Sequence, residues 1–140
     1  MAELNIVEKV IALEAVDLLK NLSPDQLSRI ASIAKEVNIP AGGVVLEDSK
    51  PPDALYVILD GAVQLSRNNE QLHVARQSEV LGAWALFDSD PMPVTAKTVE
   101  STRLLRIGRD DFYDLLSDNT EITASIFAML VKRFRALVEK

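Results

Sequence analysis

The chain predicts a mainly β fold with helices at both ends. Three observations carry this. Between Val37 and Ile107, short apolar runs alternate with turns rich in Gly, Asp, Asn and Pro. Before Leu22 and after Gly108, the apolar residues instead recur at helical spacing. Finally, 140 residues that are 48% hydrophobic and 26% charged suit one compact domain with a real core.

Taken in order, "LNIVEKVIALEAVDLLKNL" (residues 4–22) reads as one helix. Leu4, Val7, Ile11 and Leu18 lie near a single stripe, and Val10, Leu13 and Leu19 widen it. A second helix follows. Ser23 has the chemistry of an N-cap, Pro24 suits the first helical position, and Gln26 completes a capping box. Leu27, Ile30, Ala31 and Ala34 form its apolar side. From Val37 the period shortens. "VNI" is a strand ending at Pro40, "AGG" a turn and "VVLE" a second strand. "DSKPPDA" is a stiff polar loop, because its prolines preset φ and lack a donor. "LYVILDGAVQLS" gives two strands with Asp60-Gly61 turning between them. "RNNEQ" is a further turn, and "LHVAR", "TAKTVES" and "RLLRI" are strands. Many short strands joined this way indicate a sandwich, roll or barrel. "RDDFYDLLSD" is a short closing helix and "TEITASIFAMLVKRFRALVEK" a long one. Asp110 and Asp111 open the former, where negative charge complements the macrodipole without any catalytic role.

Composition narrows the function. A net charge of −6 and a pI near 4.8 argue against general affinity for nucleic acid or anionic membrane, which needs clustered Lys and Arg. With no cysteine there is no disulfide, thiolate metal site or thiol nucleophile. The start, "MAELNIVEKV", mixes acids with apolar residues, unlike a signal peptide, and "ALYVIL" is far short of a membrane span. A cytoplasmic location is the expectation. His73 is the one histidine, placed on a strand. A metal-binding jelly roll needs several converging His or carboxylate ligands. No P-loop or nucleophile elbow is present. No enzyme activity, metal or cofactor is expected.

The order "IPAGGVVLEDSKPPDALYVILDGAVQL", then "LGAWALFDSDPMPVTAKTVESTRLLRIGRDDF", resembles a cyclic nucleotide-binding domain from about Leu22 onward. This family includes bacterial catabolite activators, protein kinase A regulatory subunits and cyclic-nucleotide-gated channels. The resemblance implies an eight-stranded β-roll, or jelly roll, with flanking helices. Helices would then occupy residues 1–36, the roll 37–108 with a cassette-like segment at 81–96, and helices again 109–140.

The family's phosphate-binding cassette reads approximately F-G-E-L-A-L-L, three variable residues, then P-R-x-A-T. Laid on this chain without insertion, Gly82, Ala85, Leu86, Pro91 and Thr95 match. Leu81 takes the Phe position, Trp84 an apolar one, and Val94 replaces Ala. Ala83 stands where the family has the Glu that accepts from the ribose hydroxyl, and Met92 where it has the Arg that pairs with the phosphate. Pro93 follows, at a position whose backbone N–H typically donates to the phosphate, and proline has none. Each hydrogen bond involving a charged group contributes roughly 1.5–3 kcal/mol. Losing two or three weakens binding by about 10²-fold or more. Two readings follow for Gly82, Ala83, Trp84, Met92, Pro93 and Thr95, the positions of the nucleotide pocket. One is a structural corner filled by apolar side chains, so that cAMP or cGMP does not bind at the usual affinity. The other is a changed ligand, or a nucleotide held weakly, that repositions the C-terminal helix.

In the long C-terminal helix, Phe127, Leu130, Phe134 and Leu137 recur at 3-4-3 spacing, widened by Ile122, Ile126, Met129, Val131 and Val138. This stripe either packs on its own roll or contacts another domain or a second copy. In the catabolite activators the matching helix makes the dimer. The sequence given stops at Lys140 without a helix-turn-helix, so the resemblance implies a regulatory module without the DNA-binding part, and no nucleic acid bound through this domain. The N-terminal helix resembles the lead-in seen where such domains sit inside longer chains.

Overall fold

The computed structural model describes residues 4–48, 50–83 and 94–139. Helix α1 (Ile6–Leu13) is followed by a 3-10 turn (Asp17–Leu19) and α2 (Pro24–Ala31). Eight strands follow: β1 (Lys35–Ile39), β2 (Val44–Leu46), β3 (Ala54–Asp60), β4 (Val63–Arg67), β5 (Glu70–Ala75), β6 (Val80–Leu81), β7 (Thr95–Thr98) and β8 (Thr102–Gly108). Helices α3 (Arg109–Asp118) and α4 (Thr120–Val138) close the chain.

The strands form two antiparallel four-stranded sheets, ordered β1-β8-β3-β6 and β2-β7-β4-β5. They face each other as a β-roll. Its interior is a core of Leu46, Ile58, Val63, Ala75, Leu81, Ala96 and Leu104. A second core lies on the outer face of the first sheet. There Leu55, Val57, Leu105 and Ile107 meet Leu13, Ile30, Phe112, Ile122 and Ile126 from the helices. Strands β3 and β8 are thus covered on both faces, which is why "ALYVIL" and "LLRI" are near-continuous apolar runs instead of alternating ones.

Several turns follow from local chemistry. Asn68 and Asn69 both have positive φ, 53° and 66°, and join β4 to β5 as a two-residue hairpin. Asp60-Gly61 also turns the chain, but not as a hairpin. Strand β3 pairs with β8 and β6, and β4 pairs with β5 and β7, so this turn carries the chain from one sheet to the other. Gly61 has φ +109° and lies so close to β8 that a Cβ would sit 2.5 Å from the Thr102 hydroxyl. Thr98 staples the β1–β2 turn. Its hydroxyl donates to the Pro40 carbonyl at 2.7 Å and accepts from the Gly43 amide at 2.9 Å.

The N-terminal segment departs from the single helix expected from sequence. Helix α1 ends at Leu13. From there to Leu22 the amides of Glu14, Ala15, Val16, Leu19, Lys20 and Leu22 each bond the carbonyl three residues back. Such turns align residues three apart. Leu13, Val16, Leu19 and Leu22 are accordingly all buried. Val7 and Ile11, read as part of the helix's apolar stripe, point to solvent. The capping box of α2 forms as expected: the Ser23 hydroxyl accepts from the Gln26 amide and the Gln26 side chain accepts from the Ser23 amide.

Candidate ligand-binding site

The cassette-like segment leaves from the rim of one sheet and returns in the middle of the other. Leu81, on β6, lies opposite Tyr56 and is buried in the roll interior. Gly82 is buried with φ +70°, a conformation that glycine adopts without strain. Ala83 is half-buried and packs its methyl against the helix-side core. Trp84, Met92 and Pro93, with the rest of 84–93, lie outside the described residues. On the return, half-buried Thr95 faces Ser66 across the ladder, and buried Ala96 lies opposite Leu65 and Leu46. Of the six pocket positions, Gly82 and Ala83 therefore sit together at the start of the segment and Thr95 stands at its end.

The described lining of the roll is apolar, with Tyr56 and Leu65 at its margin. Such a surface supplies dispersion contacts and excludes water, but it neither neutralises an anion nor accepts from a sugar hydroxyl. One basic side chain escaped the sequence reading. Arg106, inside the apolar run of β8, lies opposite Tyr56, so Arg106, Tyr56 and Leu81 form one row across the first sheet. Partial burial works against its charge. The hydrogen bond that it donates to the Tyr56 oxygen and the nearby Asp53 carboxylate outweigh that and hold the guanidinium pKa above its ordinary value. Arg106 pairs with Asp53 at 3.4 Å. The signal was present in sequence: a cation embedded in a run of buried strand residues demands a partner.

His73 lies on β5, an edge strand, and its Nε2 meets Glu79 Oε1 at 2.7 Å. The other Glu79 oxygen accepts from the Arg76 amide at 2.6 Å. The His73 hydrogen bond, then the Arg76 amide, hold the Glu79 carboxyl below the usual carboxylate range. This clip fixes the turn that delivers the chain into β6. Among the described residues, no group of three or more His, Cys, Asp or Glu gathers as a metal site.

The C-terminal stripe separates into two faces. Ile122, Ile126 and Met129 are buried against the domain, whereas Phe127, Leu130, Phe134 and Leu137 are exposed, with Val131 and Val138 beside them. Helix α4 packs on α3 and on the 3-10 turn, and Arg133 forms an ion pair with Asp17 there. Between α3 and α4, the Asn119 side chain donates to the Leu115 carbonyl at 2.8 Å and accepts from Arg29 of α2. Among the described residues no helix is long and apolar enough to cross a membrane.

Comparison with known proteins agrees with this architecture. The chain is similar to a CRP-like cAMP-activated global transcriptional regulator of Mycobacterium tuberculosis, 24% identical over 123 residues, covering 84% of this chain and 55% of the regulator. It is also similar to a cAMP-dependent protein kinase regulatory subunit of Aspergillus fumigatus, 30% identical over 112 residues, covering 79% of this chain and 27% of the subunit. The chain thus spans about half of the first relative and about a quarter of the second. Among solved structures, the N-terminal domain of a transcriptional regulator from Streptomyces coelicolor superposes with a TM-score of 0.84 at 26% identity, covering 90% of this chain and 94% of that one. The model of the cyclic nucleotide-binding domain matches residues 36–119, from β1 to the end of α3, and the chain belongs to that family.

Proposed function

We propose that this chain is a regulatory module that does not bind cyclic nucleotide in the family's usual way and acts by contact with another protein, in the cytoplasm. The observation that carries the reading is the joint loss of charge, acceptor and amide donor at Met92, Ala83 and Pro93. The surroundings support it. The Ala83 methyl packs against an apolar core, and Arg106 is already engaged by Asp53. Terminal helices with exposed apolar faces supply the contact surface, through Phe127, Leu130, Phe134 and Leu137, while the doubly cored roll serves as a rigid platform. No catalytic step is assigned to it.

Titration with cAMP and with cGMP by isothermal calorimetry tests this, and micromolar binding of either sinks it. The variant Ala83→Glu/Met92→Arg/Pro93→Ala restores the three missing groups and is expected to raise nucleotide affinity about tenfold or more. The second reading, a sensor of another small molecule or of weakly held nucleotide, is favoured by the row Arg106–Tyr56–Leu81 ending beside the segment. An anion entering there displaces Asp53. Under this reading, binding seen by calorimetry is lost in Arg106→Met.

A further inference from the structure

We propose that the outward face of α1 docks an amphipathic helix of another protein, one that carries Lys or Arg along both edges of its apolar stripe. This rests on the reading of the chain as a contact module and adds a second surface with its partner chemistry.

Helix α1 is turned inside out relative to an ordinary surface helix, which buries its apolar stripe and solvates its charges. Its one cation, Lys9, reaches inward and donates to the Ala34 carbonyl at 2.8 Å. Its apolar residues Val7 and Ile11, 62% and 61% exposed, point outward, with Ile6 45% exposed beside them. Val7 and Ile11 lie four apart and so share one face, one turn above the other. The helix is held in place without help from that face. Asn5 and Glu8 close a capping box at its start. The Leu4 amide donates to Glu36 Oε1 at 3.0 Å, and the Glu36 side chain, 7% exposed, is anchored by Arg103 at 3.2 Å. Leu13 and, in part, Val10 fill the helix-side core. Eight residues do not hold a helix alone, so these ties make the exposed face a preformed shelf.

Spacing and charge select the occupant. Two apolar side chains one turn apart fit between residues at 3-4 spacing on a second helix, which is how helix faces recognise each other. Glu8 stands three residues before Ile11 and Glu14 three after it, so carboxylates border the apolar pair on two sides. Lys9 lies on the opposite side of the helix and does not offset them there. The net charge of the chain, −6, has the same sign. A helix with basic edges is therefore drawn to this surface, whereas an acidic helix or an anionic bilayer is repelled.

Fluorescence anisotropy on the full chain, without nucleotide, reads this out. The probe is a labelled synthetic amphipathic peptide with leucines at 3-4 spacing and lysines at the flanking positions; its counterpart carries glutamates there instead. The lysine peptide is expected to bind about tenfold or more tightly than the glutamate peptide, and to weaken as salt is raised. Val7→Ser/Ile11→Ser is expected to weaken it about tenfold or more. Glu8→Gln/Glu14→Gln, which keeps the acceptor of the capping box, narrows the gap between the two peptides. Phe134→Ser/Leu137→Ser, on the other exposed face, leaves both affinities unchanged. Circular dichroism checks that each variant keeps its helices. Equal affinity for the two peptides, no binding of the lysine peptide, or binding that survives the α1 variant overturns the proposal. So does binding lost in the α4 variant, or sedimentation with anionic phospholipid vesicles that the α1 variant abolishes. Nucleotide affinity by calorimetry is a separate readout, so failure here and failure of the degenerate-pocket reading are distinguishable.

Discussion

A single methyl group separates two glycines that look alike in sequence. Both Gly42, at φ +85°, and Gly61, at φ +109°, occupy backbone conformations that favour glycine. A Cβ on Gly42 meets nothing within 4 Å, whereas on Gly61 it lies within 2.7 Å of the Ser101 carbonyl and of Thr102. Gly42→Ala is therefore expected to cost about 1 kcal/mol from backbone conformation, and Gly61→Ala about 2 kcal/mol or more from added overlap. Urea unfolding of both variants checks the ranking; equal losses would contradict it. Glu79 gives a pH prediction. Its carboxyl is held below the ordinary range by His73 and the Arg76 amide, so the stabilisation is present above the unfolded-state value and is lost as pH falls through the folded one. Because the pair is exposed, the effect is well under about 1 kcal/mol. Glu79→Gln should flatten the acid side of the stability profile slightly, measured by denaturation at several pH values. At this scale the proposed reading of the site rests on chemical type: laid on the family's cassette, Ala83, Met92 and Pro93 lack the acceptor, charge and amide donor expected at those positions. For Arg106 the embedded charge was legible, but the neighbour it meets, Tyr56, is set by cross-strand register that no local pattern shows.

At the scale of elements, α2 was plain in sequence because its start is set by local hydrogen bonds from Ser23 and Gln26. Helix α1 was misread for a physical reason. Its segment is so rich in apolar residues that two periods fit it, and burial followed the spacing of three through Leu13, Val16, Leu19 and Leu22. What chose between them was the helix-side core, a tertiary factor. The same crowding hid the two faces of α4, where one broad apolar stripe in sequence becomes a buried edge and an exposed edge in the fold. Ile126→Ala is expected to cost about 2–5 kcal/mol, and Phe134→Ala close to nothing at low protein concentration. Thermal unfolding of the two variants tests which edge carries the domain. Comparable losses would place both edges in the core.

For the whole molecule, the class of fold was readable because apolar runs separated by turn residues have few architectural solutions. The pairing of strands was not. Asp60-Gly61 carries the composition of a hairpin turn, yet it bridges two sheets, because β3 finds its neighbours at residues 80–81 and 102–108. The shortest strand, β6, has two residues and leaves no period to detect. Its place is defined by Tyr56 and Val57, far away in sequence.

The strand order has a consequence for synthesis. The last two strands are both inner strands: β7 lies between β2 and β4, and β8 between β1 and β3. A nascent chain that has emerged only as far as Glu100 holds β1 and β3 without the strand that joins them, so the first sheet and the helix-side core built on it cannot close. Folding on the ribosome must wait until Gly108 has cleared the exit tunnel, and during that interval "ALYVIL" is open to chaperones. A fragment ending at Ser101 should be protease-sensitive throughout, whereas the full chain is cut mainly at its termini and loops.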